Sequence, residues 1–421
     1  MKHATEYRDG GLARQLAARI TAEAVGRAEP YRFMEFCGGH THAISRYGLE
    51  DLLPSSVRLI HGPGCPVCVL PVARIDSAIR LAEQPGITLC TYGDLMRVPG
   101  SRGVSLLRAK AAGADVRMIY SALDAIALAR AEPQRQVVLF AIGFETTTPP
   151  TARAVRLAAQ MELENFTVFC NHVLTPAAIQ NILESPDLRE FGRVQLDGFI
   201  GPAHVSTVIG SEPYTFFAEE FAKPVVIAGF EPLDVLQAVL MLVRQVNQGR
   251  HEVENQYGRA VSPGGNEAAK REVAEVFELR KTFEWRGLGH VPYSALRLKA
   301  RYGQFDAERR FGLRDLAGRD VPGCQCGAVL RGVKTPLDCR LFGKVCTPES
   351  PMGSCMVSPE GPARRTGHTS AFVAVPPRRA QREPAYDPSA RSTPGPSGSV
   401  ARRRRARHGT AHCTGVSCCP R

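Results

Sequence analysis

The sequence predicts an α/β protein with two parallel-sheet domains of three or four strands each. Three observations carry this. Short β-rich apolar runs recur along the middle of the chain. A Gly- or Pro-containing loop follows most of them, and then a helical pattern follows the loop. Apolar runs alternating with helices indicate parallel strands buried on both faces. Six or seven such units exceed one small sheet, and right-handed crossovers join the strands of each sheet.

Taken in order, SVRLIHG (56–62) leads through GPGCPVC into VARIDSAIRLAEQ (72–84). VRMIYS leads into ALDAIALARAE, and QVVLFAIG leads through FETTTPP into TARAVRLAAQ. FTVFCNH leads into TPAAIQNILES, LDGFIG through PAH into a short helix, and PVVIAGF through EPLD into VLQAVLMLVRQVNQ. Open parallel sheets bind ligands at the carboxyl ends of their strands. The residues expected there are Cys65, Cys68, Glu145, Thr146, Thr147, Asn171, His172, His204, Glu231 and Asp234. Capping of the next helix accounts equally well for Thr146, Thr147, Glu231 and Asp234 taken singly.

The net charge of +12 suggests nucleic acid, but its distribution does not. Residues 361–421 hold 12 arginines against Glu383 and Asp387, so the rest of the chain is nearly balanced. A local arginine run is weak evidence for specific nucleic-acid binding. The same stretch is rich in Pro, Gly and Ser and lacks an apolar period, so residues 362–421 are expected to be disordered. No run of about 18 apolar residues suggests a membrane helix, and the polar start MKHATEYRDG does not resemble a signal peptide. A cytoplasmic location is the expectation.

Thirteen cysteines in a chain expected to be reduced call for chemistry. Cys90 and Cys170 close the apolar runs GITLC and FTVFC and read as small buried hydrophobes. HGPGCPVCVLP holds Cys65 and Cys68 in a C-x-x-C that prolines stiffen and glycines turn. A thiol near a helix start gains thiolate character. Upstream, FCGGHTH supplies Cys37, His40 and His42. A zinc site of Cys37, His40, Cys65 and Cys68 is one reading. An open thiolate site for a softer metal or for redox work is another, and inert thiols are a third. If they share a cleft, Cys65 and Cys68 need Cα atoms about 4.4–6.8 Å apart to form a disulfide. Farther on, Cys324, Cys326, Cys339, Cys346 and Cys355 are irregularly spaced among prolines. That spacing suits an iron–sulfur nest better than a zinc ribbon, with zinc or neither as alternatives.

FMEFCGGHTHAISRYGL, HGPGCPVCVLP, AIGFETTTP, FIGPAHVSTVIG, PVVIAGFEPLDVL and CTPESPMGSCMVSPEG, in this order, resemble the HypD family of hydrogenase maturation proteins. The resemblance spans about residues 12–360. It implies two similar parallel-sheet α/β domains plus a third iron–sulfur cluster-bearing domain. The resulting division is a 1–55 segment packing with the C-terminal cluster domain, α/β domains at 56–150 and 151–285, a cysteine-rich 4Fe-4S domain at 286–361, and the tail.

The resemblance further implies a scaffold for NiFe-hydrogenase maturation. A small chaperone, HypC, works with it to assemble an Fe(CN)2(CO) unit. HypE, with HypF behind it, donates cyanide, and the hydrogenase large subunit is the indirect recipient. Cys37, Cys65 and Cys68 match the family's iron- and redox-associated cysteines, with His40 as a motif neighbour. Cys326, Cys339, Cys346 and Cys355 match cluster ligands, with Cys324 competing with Cys326. A stand-alone iron–sulfur thiol/disulfide oxidoreductase is the alternative, so whether the chain is an enzyme stays open. The family's ending, with a further cysteine and aromatics, is absent after Gly361, which suggests a shift of reading frame; an appended arm is the other reading.

Overall fold

A computed structural model describes residues 5–184, 196–313, 318 and 320–373. They form an α/β body with two fully parallel sheets. One sheet contains Ile87–Thr91 (β3), Val116–Met118 (β4), Gln136–Gly143 (β5) and Phe166–His172 (β6), in the order β4-β3-β5-β6. The other contains Tyr31–Glu35 (β1), Val57–His61 (β2), Gly198–Pro202 (β7), Val225–Ala228 (β8) and Val253–Asn255 (β9), in the order β2-β1-β7-β8-β9. The strands of β5 and β6 are buried on both faces, as their uninterrupted apolar composition dictates.

Sheet membership departs from the contiguous division drawn from sequence. β2, expected to open the domain at 56–150, pairs with β1; β6, expected beyond residue 150, pairs with β5. β1 itself falls outside the rhythm of apolar runs, because Arg32 and Glu35 interrupt it. Its register with β7, Phe33 opposite Gly198, joins segments far apart in sequence. Local pattern identifies a strand; only packing of the whole sheet chooses its neighbour.

The N-terminal segment divides its contacts. Helix Gly10–Glu23 lies on helix Pro232–Asn247, where Arg244 pairs with Glu23 at 2.7 Å and Asn247 Nδ2 donates to the Glu23 carbonyl. Helix Gly38–Tyr47 instead lies against the C-terminal helix Pro362–Val373. That second helix corrects the expectation of disorder from residue 362. Pro362 sits in its first turn and Ala363 is buried with Cys326, Cys346, Cys355 and Met356, so this stretch does have apolar surface to bury. Residues 374–421, which hold the rest of the expected tail, lie outside the described residues.

β2 belongs to one sheet, yet the segment after it enters the core of the other. Cys65, Val67, Cys68 and Val69 pack with Phe140, Ile142, Phe144 and Trp285. Burying each large apolar side chain stabilises the fold by about 1.5–3 kcal/mol. The antiparallel pairs Phe277–Leu279 with Leu296–Leu298, and Thr282–Trp285 with Gly289–Pro292, brace this core.

A buried ionic knot fixes the same corner. Arg74 donates to Asn171 Oδ1 at 2.6 Å and to the Cys170 carbonyl, and pairs with Glu308. Arg280 pairs with the same carboxylate at 2.6 Å, and Phe169 lies under the Arg74 guanidinium. Two cations share this one anion, so removing it takes a partner from both. Glu308→Ala is expected to lower the unfolding free energy by about 3 kcal/mol, measured by chemical denaturation. A change near zero would show that solvent replaces the carboxylate.

Candidate functional site

Two loops leave the neighbouring ends of β1 and β2, and parallel pairing places them side by side. Glu35 ends β1 fully buried. Its carboxylate accepts from the Cys37 amide at 2.9 Å, from the Thr41 hydroxyl, and from His61 Nδ1 at 2.6 Å. The loops also bond through their backbones: Gly62 N donates to the Glu35 carbonyl at 2.7 Å and Gly38 N to the Gly64 carbonyl at 2.8 Å. A Cβ on Gly64 would stand 2.2 Å from the Cys37 nitrogen, so only glycine fits there. Cys37 and the C-x-x-C are thus drawn into one site.

Cys65 and Cys68 form a disulfide with Cα atoms 5.2 Å apart. Cys65 caps the short helix Pro66–Val69 and accepts from the Cys68 amide. Cys37 caps helix Gly38–Tyr47, but its thiol is not acidified by that helix. Burial pushes it well above the ordinary thiol value, and the Glu35 and Glu360 carboxylates push in the same direction. Desolvation therefore outweighs the helix-start effect expected from sequence. The Cys37 Sγ lies 3.3 Å from His204 Nδ1. Burial, then the neighbouring His40, lowers His204 to about 4, so the ring is neutral.

His40 is fully buried. Its Nε2 faces the carbonyls of Ala228 and Gly229 at 3.0 and 3.1 Å, which fixes Nε2 as the protonated nitrogen. Nδ1 is then a bare lone pair with no hydrogen-bond partner. The Phe230 ring lies 4.9 Å from the His40 ring and 5.2 Å from the His204 ring. Outside this pair, His42, Arg8, Arg46, Glu231, Glu360 and Arg365 line a cavity of about 420 Å³ over Gly38 and Gly39.

The C-terminal cysteines adjoin the disulfide. Ser354 Oγ donates to the Cys68 carbonyl at 2.7 Å, and Cys68 Sγ lies 3.7 Å from the Ser354 carbonyl. Cys355 follows directly, its sulfur 2.7 Å from that of Cys326, which is 3.3 Å from Cys324. A Cβ on Gly353 would strike both Cys326 and Cys324 sulfurs. Cys346 is buried with this group and accepts from the Met352 amide, and Cys324 and Cys339 are near enough to act on its charge. The sulfurs of Cys324, Cys326 and Cys355 lie together, with Cys346 buried beside them, and soft donors of this kind suit a thiolate-bound group in their chemistry. Among the described residues no three His, Cys, Asp or Glu side chains stand arranged to hold a single metal ion.

Several other strand-end residues are structural. Asp234 is fully buried, paired with Arg259 at 2.6 Å and Gln256, and forms a capping box with Glu231. Glu231 is bidentate to Arg8. His172 is held by Thr151 and Thr147, and burial lowers it to about 4. Asn171 belongs to the Arg74 knot. Thr146 lies half-buried in the turn before helix Thr148–Gln160. Glu145 lies in the wall of a second cavity, whose described lining contains no cysteine. Burial pushes it up to about 7, despite hydrogen bonds from Thr175 that favour its charge. Cys90 and Cys170 are buried, and burial raises them to about 12 and about 11. The sequence reading did not single out Glu35, His61, Phe230 or Ser354. Glu35 carried a usable signal, an acid inside an apolar run.

The family described as "Hydrogenase formation hypA family" (HypD) matches residues 11–366. The hydrogenase maturation factor HypD of Rhizobium leguminosarum bv. viciae is 72% identical over 361 residues, covering 86% of this chain and 94% of its own. The HypD2 factor of Bradyrhizobium diazoefficiens is 71% identical, covering 86% and 95%. The Escherichia coli K12 HypD factor is 46% identical over 365 residues, covering 86% and 96%.

Two outcomes follow from this geometry. Gly64→Ala forces the loops apart, so its unfolding free energy is expected to drop by about 2 kcal/mol, with Cys37 becoming faster to label by a thiol reagent. Unchanged labelling would refute the close approach. Glu145, raised on folding, favours the protonated native state. Stability is therefore full below about pH 4.5 and declines as pH rises towards about 7, by about 3 kcal/mol in all. Glu145→Gln should match the parent near pH 4 and exceed it at about pH 8, as thermal melts at the two pH values will show.

Proposed function

The chain belongs to the HypD family of hydrogenase maturation factors, and from that premise we propose that it is the scaffold on which the Fe(CN)2(CO) unit of a NiFe hydrogenase is assembled. The observation that carries the reading is continuity. Cys37, the Cys65–Cys68 pair and the Cys324–Cys355 nest lie along one path, linked by the Gly38–Gly64 and Ser354–Cys68 hydrogen bonds.

In this reading iron is cargo. Cys37 Sγ holds it, with the bare Nδ1 of His40 and the two thiols of the reduced C-x-x-C as further donors. Iron carrying cyanide and CO is soft and suits thiolates. A buried, protonated Cys37 resists becoming a free anion, so it binds iron only as it loses its proton. His204 Nδ1 lies 3.3 Å away and can accept a hydrogen bond from that thiol.

Opening the Cys65–Cys68 disulfide takes two electrons and two protons, breaks the S–S bond and gives two thiols. A 4Fe-4S cluster, held by Cys326, Cys339, Cys346 and Cys355 or with Cys324 in place of Cys326, supplies single electrons when bound. Ser354 keeps Cys68 beside Cys355, so the nest and the disulfide stay at close range whichever of Cys324 and Cys326 serves. The partners in this reading are a HypC-type chaperone, which brings or shares the iron, and HypE with HypF as cyanide donor. No helix among the described residues is long and apolar enough to cross a membrane, and the reading places the work in the cytoplasm. The disulfide alone would also serve a stand-alone thiol oxidoreductase, which needs neither Cys37 nor His40.

The chain co-purified with its HypC-type partner should show cyanide and CO bands in the infrared. Cys37→Ala and His40→Ala should remove them, and Cys65→Ala should reduce them strongly. Bands that persist in Cys37→Ala would overturn the assignment. Disulfide reductase activity without any such bands would favour the oxidoreductase.

A further inference from the structure

A second cavity, distinct from the cysteine site, lies where the two sheets and the antiparallel braces meet. Its volume is about 480 Å³. Leu174, Ile209, Phe216 and Val291 make most of its wall apolar. Glu145 supplies a carboxyl group, itself only 4% exposed. At the rim, Tyr293 is 61% exposed and has φ of 50°. A non-glycine residue in that region costs about 1 kcal/mol or more, so strain holds an aromatic ring beside the opening.

We propose that this cavity binds a small, uncharged, largely apolar molecule that carries one hydrogen-bond acceptor, such as an amide or ester carbonyl, received by the Glu145 carboxyl group. The size and lining are those of a small-molecule site: mostly apolar, with a few placed polar groups. Among the described lining residues there is no Lys, Arg or His to pair with an anion. Glu145 Oε1 is occupied by the Thr175 amide at 2.8 Å and hydroxyl at 3.1 Å. Oε2 meets the same hydroxyl at a longer 3.3 Å. A proton on Oε2 therefore has only that long, shared contact, and a ligand carbonyl at an ordinary O–H···O distance offers a better acceptor. A buried donor gains most from a well-made bond, which makes this the anchoring contact.

Burial keeps the carboxyl group protonated up to about pH 7. The titratable groups that face it among the described residues are Tyr214, which burial pushes up, Tyr293 at the rim, and Glu184 across the cavity, which accepts from Gln180. None of them provides a cation. The pH response of binding thus reads the role of Glu145, and its sign separates an acceptor ligand from an amine. The inference stands apart from the maturation reading, since no cysteine enters it.

Three probes share one aromatic body: benzamide, benzylamine and benzoate, each titrated into the full chain and followed by ligand-observed NMR. Benzamide should bind near pH 6 and weaken roughly tenfold or more by about pH 8.5, as the carboxyl group ionises. Glu145→Gln should keep the binding and lose the pH response. Ala177→Trp, which fills the cavity, should abolish binding with the thermal midpoint retained. Benzylamine binding that strengthens above pH 7 would overturn the proposal in favour of a cation site. It is equally overturned if benzamide binds Ala177→Trp as well as the parent, or if none of the three binds the folded chain at about 10 mM.

Discussion

One buried carboxylate organises the candidate site. Glu35 closes β1 with no exposure, and among the described residues its one ion-pair partner is His61. It is tolerated because its oxygens accept three hydrogen bonds, from the Cys37 amide, the Thr41 hydroxyl and His61. An ionised group out of water needs such partners. Each partner belongs to a different piece of the site: the loop start, the first turn of helix Gly38–Tyr47, and the end of β2. Burial disfavours a charged His61, but the hydrogen bond to Glu35 and its charge raise it nonetheless. The pair therefore draws the two cysteine loops together. The rest of the arrangement, including the Gly64 approach and the position of Cys37 over His204, depends on this anchor.

Burial then sets the chemistry of the thiols. A cysteine at a helix start is usually read as activated, and Cys37 stands at one. Here the low dielectric and two nearby carboxylates win, and the thiol is held neutral. That suits a residue whose partner is a metal ion, since the ion itself removes the proton. Cys65 and Cys68 avoid the same penalty by joining each other. The helix-start effect and the desolvation effect act on the same atom, and only depth in the fold decides between them.

Polar residues gathered at strand ends do not all serve one site. Asp234, His172 and Asn171 satisfy the fold: each is buried and each has its partners inside the body. Glu145 differs, since Thr175 is the side chain that bonds it and it borders open space. The distinction between a capping or bridging residue and a binding residue rests on what remains unpaired. His40 meets the same criterion through Nδ1.

The sequence by itself determined the class of fold and the family. Apolar runs such as QVVLFAIG and FTVFCNH must be buried strands on any packing, and C-x-x-C between prolines must be a stiff turn. The burial of Cys90 and Cys170 was equally legible, because each closes such a run. Partnership was not legible. β1 carries Arg32 and Glu35, so its run looks broken, and its neighbours β2 and β7 are chosen by register across a sheet that no local pattern encodes. The start of the tail misled for a related reason: Pro362 and Ala363 lack a long apolar period, yet a few buried contacts with the cysteine nest suffice to hold a helix. Likewise the link from Cys68 through Ser354 to Cys355 joins residues 286 positions apart. Motifs name the reactive groups, because their chemistry is covalent and local. Tertiary structure alone decides which of them meet and which remain protonated, because both depend on what is excluded from water.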